Sequence, residues 1–232
     1  MNYTSHTEPH FSGRNNWLRA GILGANDGLI STASLMMGIA ATNPHTSTLL
    51  LTGTAALIGG AISMAAGEYV SVSGQSDTEK ADLHKEHNEL KNHPERELQE
   101  LIEIYRRRGL NQQLAQQVAQ ALTRHNALEA HARDEIGITE TMQAKPFQAA
   151  AASATAFCIG AILPLAISII SSPSTVIPAL AISTITGLAL LGYSAAKLGG
   201  APTIPAIIRT TLWGIFALTC TGLIGYFFDT AN

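Results

Sequence analysis

The stretch ISMAAGEYVSVSGQSDTEKADLHKE, running from Ile62 to Glu86, decides the reading of this chain. Its first eleven residues, through Val72, carry a single charge, that of Glu68, whereas the ten from Asp77 to Glu86 carry six. The change is as abrupt as that of a chain leaving a bilayer. The pattern extends in both directions. Of 31 charged residues (14 Lys and Arg, 17 Asp and Glu), 23 lie between Ser71 and Lys145, and the remaining 157 residues hold eight. Charged residues make up 13% of the chain, about half the roughly 25% usual in soluble domains. A soluble protein does not segregate its charge in this way; a membrane protein with one aqueous insert does.

Working outward, a helix needs about 20 apolar residues to cross a hydrocarbon core roughly 30 Å thick. Five stretches meet that length: about Leu18–Ala41, Thr48–Val72, Phe147–Ile170, Thr175–Ala196 and Ala206–Phe228. The expected fold is therefore all-α, with five transmembrane helices and a three-helix cytoplasmic insert between the second and third. The expected boundaries are 1–72 for the tail and first two spans, 73–145 for the insert and 146–232 for the last three spans.

Basic residues near span ends set the orientation. Arg14, Arg19, Lys145, Lys197 and Arg209 all fall on one set of flanks, while the links Thr42–His45 and Ser171–Ser174 and the tail after Phe228 hold no Lys or Arg. This places the N-terminus and the insert in the cytoplasm and the C-terminus outside or in a lumen. Met1–Asn16 is polar, with no apolar core of a cleavable signal peptide. The net charge of −3 gives no reason to expect nucleic-acid binding. Cys158 and Cys220 sit in apolar segments and read as small hydrophobes, not as a disulfide.

Within the insert, the second helix is expected to run on to about Lys91. Pro94 suits a first helical position, with Glu95 and Glu97 in the favourable first turn. Leu98, Leu101, Ile102 and Tyr105 follow at helical spacing, and Arg106–Arg108 precede Gly109, a stop signal. A third helix is expected over about Gln112–Met142, with Leu114, Val118, Leu122 and Leu128 on one side. These stripes are thin, which points to support from a second copy. Small residues at i, i+4 spacing, Gly24 and Gly28 in the first span and Gly59, Ser63 and Gly67 in the second, allow close helix approach, either within one subunit or at a dimer seam.

Carboxylates recur in the insert at one-turn spacing: Glu86 with Glu89, Glu97 with Glu100, and His131 with Glu135. Each pair shares a helix face. Carboxylate and imidazole ligands suit ferrous iron, manganese and zinc, and such pairs on facing helices build metal sites in bundles. Lys85, Lys91 and Arg96 are interleaved, so spacing alone leaves a solvated charged face equally open. His84, His87 and His93 enrich the same stretch as surface residues. In the first span, Asp27 lies between glycines in Gly24-Ala25-Asn26-Asp27-Gly28. An ionised Asp near a span centre costs on the order of 3 kcal/mol, so it reads as functional, the alternative being a structural hydrogen bond. Met64 offers a thioether in the second span, as ligand or as packing, and Glu68 lies one turn further on, near the cytoplasmic end. No nucleophile–base pattern and no phosphate-binding glycine loop is present, so the chain is not read as an enzyme, and a gradient must drive any uphill transport.

These runs resemble the vacuolar iron transporter family, which includes yeast vacuolar and plant nodulin-like members. The resemblance rests on Gly24–Leu29, Gly60–Met64, Gly67–Ser73, Asp77–Leu83 and Arg133–Gly137, and it covers the chain from about Trp17. It implies a homodimer of five-span subunits, a cytoplasmic metal-binding domain, and proton-coupled export of ferrous iron, and often manganese, from the cytosol. It also implies Asp27 and Met64 as intramembrane metal positions and Glu86, Glu89, Glu97, Glu100 and Glu135 as cytoplasmic ligands. Two positions depart from the pattern. His131-Ala132 stands where some members have a Met pair, and Leu57 stands where some have a membrane carboxylate. The partners expected are divalent metal ions and protons. No cofactor is expected beyond the transported metal, with zinc also fitting the cytoplasmic site. The membrane would be a bacterial inner membrane, or a vacuolar one in a eukaryote. A passive channel and a non-transporting sensor are the alternatives. His131, as a ligand that must be neutral, is expected to make metal binding pH-sensitive near its ordinary value of about 6.5, and carboxylates alone much less so.

Overall fold

The computed structural model describes residues 15–138 and 144–231. Every regular element among them is helical: α1 (Asn15–Ala40), α2 (Thr46–Asn92), α3 (Pro94–Arg107), α4 (Gln112–His131), α5 (Pro146–Ile170), α6 (Val176–Gly199) and α7 (Thr203–Thr230). One π turn, Ala132–Ile136, follows α4. Five of the helices, α1, α2, α5, α6 and α7, are long and apolar enough to cross a membrane. The chain divides into two compact units, Met1–Tyr69 with Phe147–Asn232, and Val70–Pro146. The 47-residue α2 contributes to both.

In the first unit the core forms around α1, where Ala33, Met36, Met37 and Ala40 meet Leu49, Val176, Leu180 and Leu218. Helix α6 buries Val176, Leu180, Thr184, Leu188, Gly192 and Ala196, one residue per turn, as a helix packed along a single face must. Helix α1 approaches α5 at backbone distance. A Cβ on Gly28 would strike the Phe157 carbonyl, and one on Gly160 would strike the Ala25 carbonyl. In lipid, where apolar burial drives helix association little, such close packing supplies much of the attraction. Gly24 and Gly28 are thus used in packing within the chain. Gly59 and Gly67 face nothing within 4 Å, so packing within the chain does not account for the stripe on α2. Gly160→Val is expected to destabilise the protein in detergent by about 1–3 kcal/mol or more through overpacking.

In the second unit α3 begins with Pro94 at its first turn, carries Glu95 and Glu97 there, and ends with Arg106 and Arg107. Gly109 then turns the chain at φ +100°, a left-handed conformation that glycine adopts without a steric penalty. Leu101, Ile102 and Tyr105 of α3 pack on Ala115, Ala119 and Ala130 of α4, with Leu98, Val118 and Leu122 at the margin.

Two features of α4 differ from expectation. Its innermost residues are Ala115 and Ala119, whereas Leu114 is exposed; the small side chains let α3 and α4 come close, so they take the inner positions. The helix also ends at His131 instead of continuing to Met142. Asn126 breaks its regularity at φ −161°, ψ 97°, and the Asn126 Oδ1 accepts a hydrogen bond from the Glu129 N–H at 3.1 Å, restarting the helix as an N-cap does. The π turn and Gly137 (φ +85°) then close it. Residues 139–143, the remainder of the expected helix, lie outside the described residues.

Candidate metal centre

Four elements of the second unit converge on one point. Glu86 comes from α2, Glu97 from the first turn of α3, His131 from the end of α4 and Glu135 from the π turn. One ligand atom from each can be chosen so that all four lie within 4.8 Å of one another. Ligands on opposite sides of an ion with bonds of about 2.1 Å stand about 4.2 Å apart, so the four atoms span little more than one ion's coordination sphere.

The burial of these groups sets them apart from a solvated charged face. His131 is 0% exposed, and Glu86 and Glu97 are each 3% exposed. His131 Nδ1 lies 2.8 Å from Glu135 Oε2 and 3.0 Å from Glu86 Oε1. A ring nitrogen carries at most one hydrogen. Its hydrogen bond joins Glu135, which leaves Glu86 Oε1 and His131 Nε2 buried without a hydrogen-bond partner. An unsatisfied buried polar atom costs about 1–3 kcal/mol, a cost that a bound cation would remove. Burial pushes the Glu86 carboxyl up to about 6, and the Glu135 carboxylate raises it further while His131 opposes the shift. Burial likewise raises Glu97, with Glu100 and Glu89 adding to it. Three carboxylates and an imidazole form a donor set suited to ferrous iron, manganese or zinc.

The six expected cytoplasmic ligands therefore separate. Glu86, Glu97, His131 and Glu135 come together. Glu89 is half-buried, with Lys85 Nζ at 3.9 Å, and Glu100 is exposed; both act on Glu97 by charge alone. His84, His87 and His93 are exposed. The i, i+4 contact of His131 with Glu135 exists, with His131 fully buried and Glu135 at the exposed edge of the cluster. In the first unit Asp27 and Met64 are both half-buried, on α1 and α2. The Ser31 hydroxyl donates to the Asp27 main-chain carbonyl at 2.6 Å, which leaves the carboxylate out of that bond.

Nothing in the sequence pattern singles out Asp134, but its neighbours in space give it a role. Arg133, Tyr105 and Arg108 all donate to its carboxylate. Burial alone would raise the Asp134 carboxyl, but those three hydrogen bonds outweigh it and hold the group well below the usual carboxylate range.

The chain matches the family model described as VIT family over residues 18–226, which include every helix of the buried cluster. It is similar to a protein named Vacuolar iron transporter from Acanthamoeba castellanii, 41% identical over 223 residues, covering 93% of this chain and 80% of that protein. It is also similar to Vacuolar iron transporter homolog 2 of Arabidopsis thaliana, 33% identical over 212 residues, with 91% and 84% covered. Vacuolar iron transporter homolog 2 of Oryza sativa subsp. japonica is 34% identical over 218 residues, with 94% and 93% covered. Membrane-length helices, the buried acid–imidazole cluster and matches that run nearly end to end converge on one assignment: this chain belongs to the VIT family.

Proposed function

We propose that this protein is a membrane transporter that carries ferrous iron or manganese out of the cytosol in exchange for protons. The observation that carries the reading is the Glu86–Glu97–His131–Glu135 cluster, three of its four members buried, whose unpaired atoms and raised Glu86 carboxyl favour a divalent cation at neutral pH. The names of its relatives support iron as cargo. In this mechanism the second unit lies in the cytosol and collects metal, with Glu89 and Glu100 guiding it inward by charge. Metal then passes to Asp27 and Met64 at the axis of a homodimer, where Asp27 exchanges it for protons. The open small-residue face of α2, with Gly59 and Gly67, would meet the second copy.

The deciding experiment is metal flux into proteoliposomes, measured for iron, manganese and zinc with and without a pH gradient. Antiport requires uptake that collapses with the gradient. Equal flux in both conditions identifies a passive channel, and binding without flux identifies a sensor. Topology is tested separately, with reporters fused after Asn232 and between Asn88 and Glu103. Because basic residues avoid every outward flank, the inner reporter is expected to read cytoplasmic and the C-terminal one non-cytoplasmic. A cytoplasmic C-terminus would refute the orientation.

A further inference from the structure

The turn that carries Glu135 is unusual, and it is tied down at one residue. Ala132–Ile136 form a single π turn. The Ala132 carbonyl accepts from the Gly137 N–H, and from the Ile138 N–H at 2.7 Å. Such turns are rare and occur frequently at functional sites. Here the turn directs two adjacent carboxylates to different partners. Glu135 meets His131 Nδ1 in the cluster. The Asp134 Oδ2 accepts from the Tyr105 hydroxyl at 2.5 Å and from Arg133 Nη2 at 2.9 Å. The Asp134 Oδ1 accepts from Arg108 Nη1 at 2.6 Å, and the Asp134 main-chain carbonyl accepts from Arg108 Nη2 at 3.0 Å. The Arg108 guanidinium also lies 5.5 Å from the centre of the Tyr105 ring. Tyr105 lies in α3 and Arg108 caps it, on the helix whose first turn carries Glu97.

We propose that Asp134 is a positioning residue for the metal centre: through Tyr105 and Arg108 it fixes the π turn against the end of α3 and so sets the place of Glu135 relative to Glu97, Glu86 and His131. This rests on the cluster being a metal centre. The physical reason is that Glu135 is the least buried of the four groups and sits on the element with the least regular backbone. Within the cluster its one hydrogen-bond contact is that with His131 at 2.8 Å. A bidentate arginine contact and a buried hydroxyl supply directional restraint at the adjacent residue, as outer groups commonly do for metal ligands.

The test uses the full-length protein in detergent, with manganous ion followed by calorimetry and cobaltous ion by visible absorption, which reports coordination geometry. Asp134→Ala is expected to weaken both metals by about ten- to hundredfold, the usual effect of losing an outer-shell partner, and to change the cobalt spectrum. Tyr105→Phe removes one oxygen and is expected to act in the same direction by less. A brace that serves stability alone would lower the melting temperature while leaving affinity and spectrum unchanged wherever the protein is folded, and that result overturns the proposal. If Asp134→Ala does not fold, Tyr105→Phe and Arg108→Gln decide by the same two readouts. Glu97→Gln is the control. Native-like binding in that variant defeats the metal-centre reading itself, whereas lost binding there with native-like Asp134→Ala and Tyr105→Phe defeats only the positioning role.

Discussion

Asp27→Asn is expected to abolish most metal flux while leaving expression and assembly intact. The two halves of that expectation have separate physical causes. An ionised Asp within a membrane helix is costly to insert, on the order of 3 kcal/mol, and Asn is cheaper, so the variant should enter the membrane at least as well. The Ser31 hydrogen bond goes to the Asp27 main-chain carbonyl, not to the carboxylate, so the substitution leaves it in place. Flux is a different matter. Two unit charges about 4 Å apart interact by about 4 kcal/mol at an effective dielectric constant near 20, and a divalent ion doubles the attraction. Asn keeps an oxygen donor but loses that charge and the exchangeable proton. The expected loss is at least about tenfold in initial rate at subsaturating metal, since 1.4 kcal/mol already corresponds to that factor. Proteoliposome uptake at matched protein density checks it. A variant that transports like the native protein removes Asp27 from the pathway.

What the sequence made legible follows from the range of each interaction. The five long helices were readable because length and apolarity are local properties. Helix α3 was readable because Pro94 and Gly109 punctuate it. The start of helix α4 at Gln112 was readable too, but its end was not, because the break at Asn126 and the π turn at Ala132–Ile136 leave no periodicity to follow. Alanines also hide a core: Ala115 and Ala119 are fully buried, yet Leu114 and Val118 dominate any hydrophobic count.

The candidate site divides along the same line. One-turn spacing found the pairs Glu86–Glu89 and Glu97–Glu100, but a helix face is broad, and only packing of α2, α3 and α4 selects which member turns inward. Glu86 and Glu97 are buried; Glu89 is half-buried and Glu100 exposed. The role of Asp134 depends on Tyr105 and Arg108, 29 and 26 residues away. Such separations carry no signature in a single sequence, and Asp134 therefore read as one more charge beside a ligand.

The second large effect concerns pH, where burial alters the expectation from spacing alone. Carboxylates were expected to contribute little above pH 6. The buried Glu86 carboxyl is instead raised from 4.5 to about 6, so it competes for protons in the same range as an imidazole. Its folded-state value exceeds the unfolded one, so protonating Glu86 favours the metal-free fold; that contribution is present at low pH and lost as pH rises through about 6. Above that pH the ionised group lies buried without a full partner, and a divalent cation offsets the cost. Metal should therefore raise the melting midpoint more at pH 7.5 than at pH 5.5, with protons displaced on binding at the lower value. An imidazole binds metal only through an unprotonated nitrogen, so a ligating His131 would add a second pH-sensitive contribution. Metal affinity is expected to fall as pH drops from about 7.5 to about 5.5, by up to one decade per unit for each proton displaced. In His131→Met the slope should decrease by about one proton and keep the part due to Glu86, while Glu86→Gln should keep the part due to His131. Calorimetry at several pH values on the native protein and both variants checks this. If His131→Met retains the native slope, His131 is not a ligand, and the centre binds metal through its carboxylates alone.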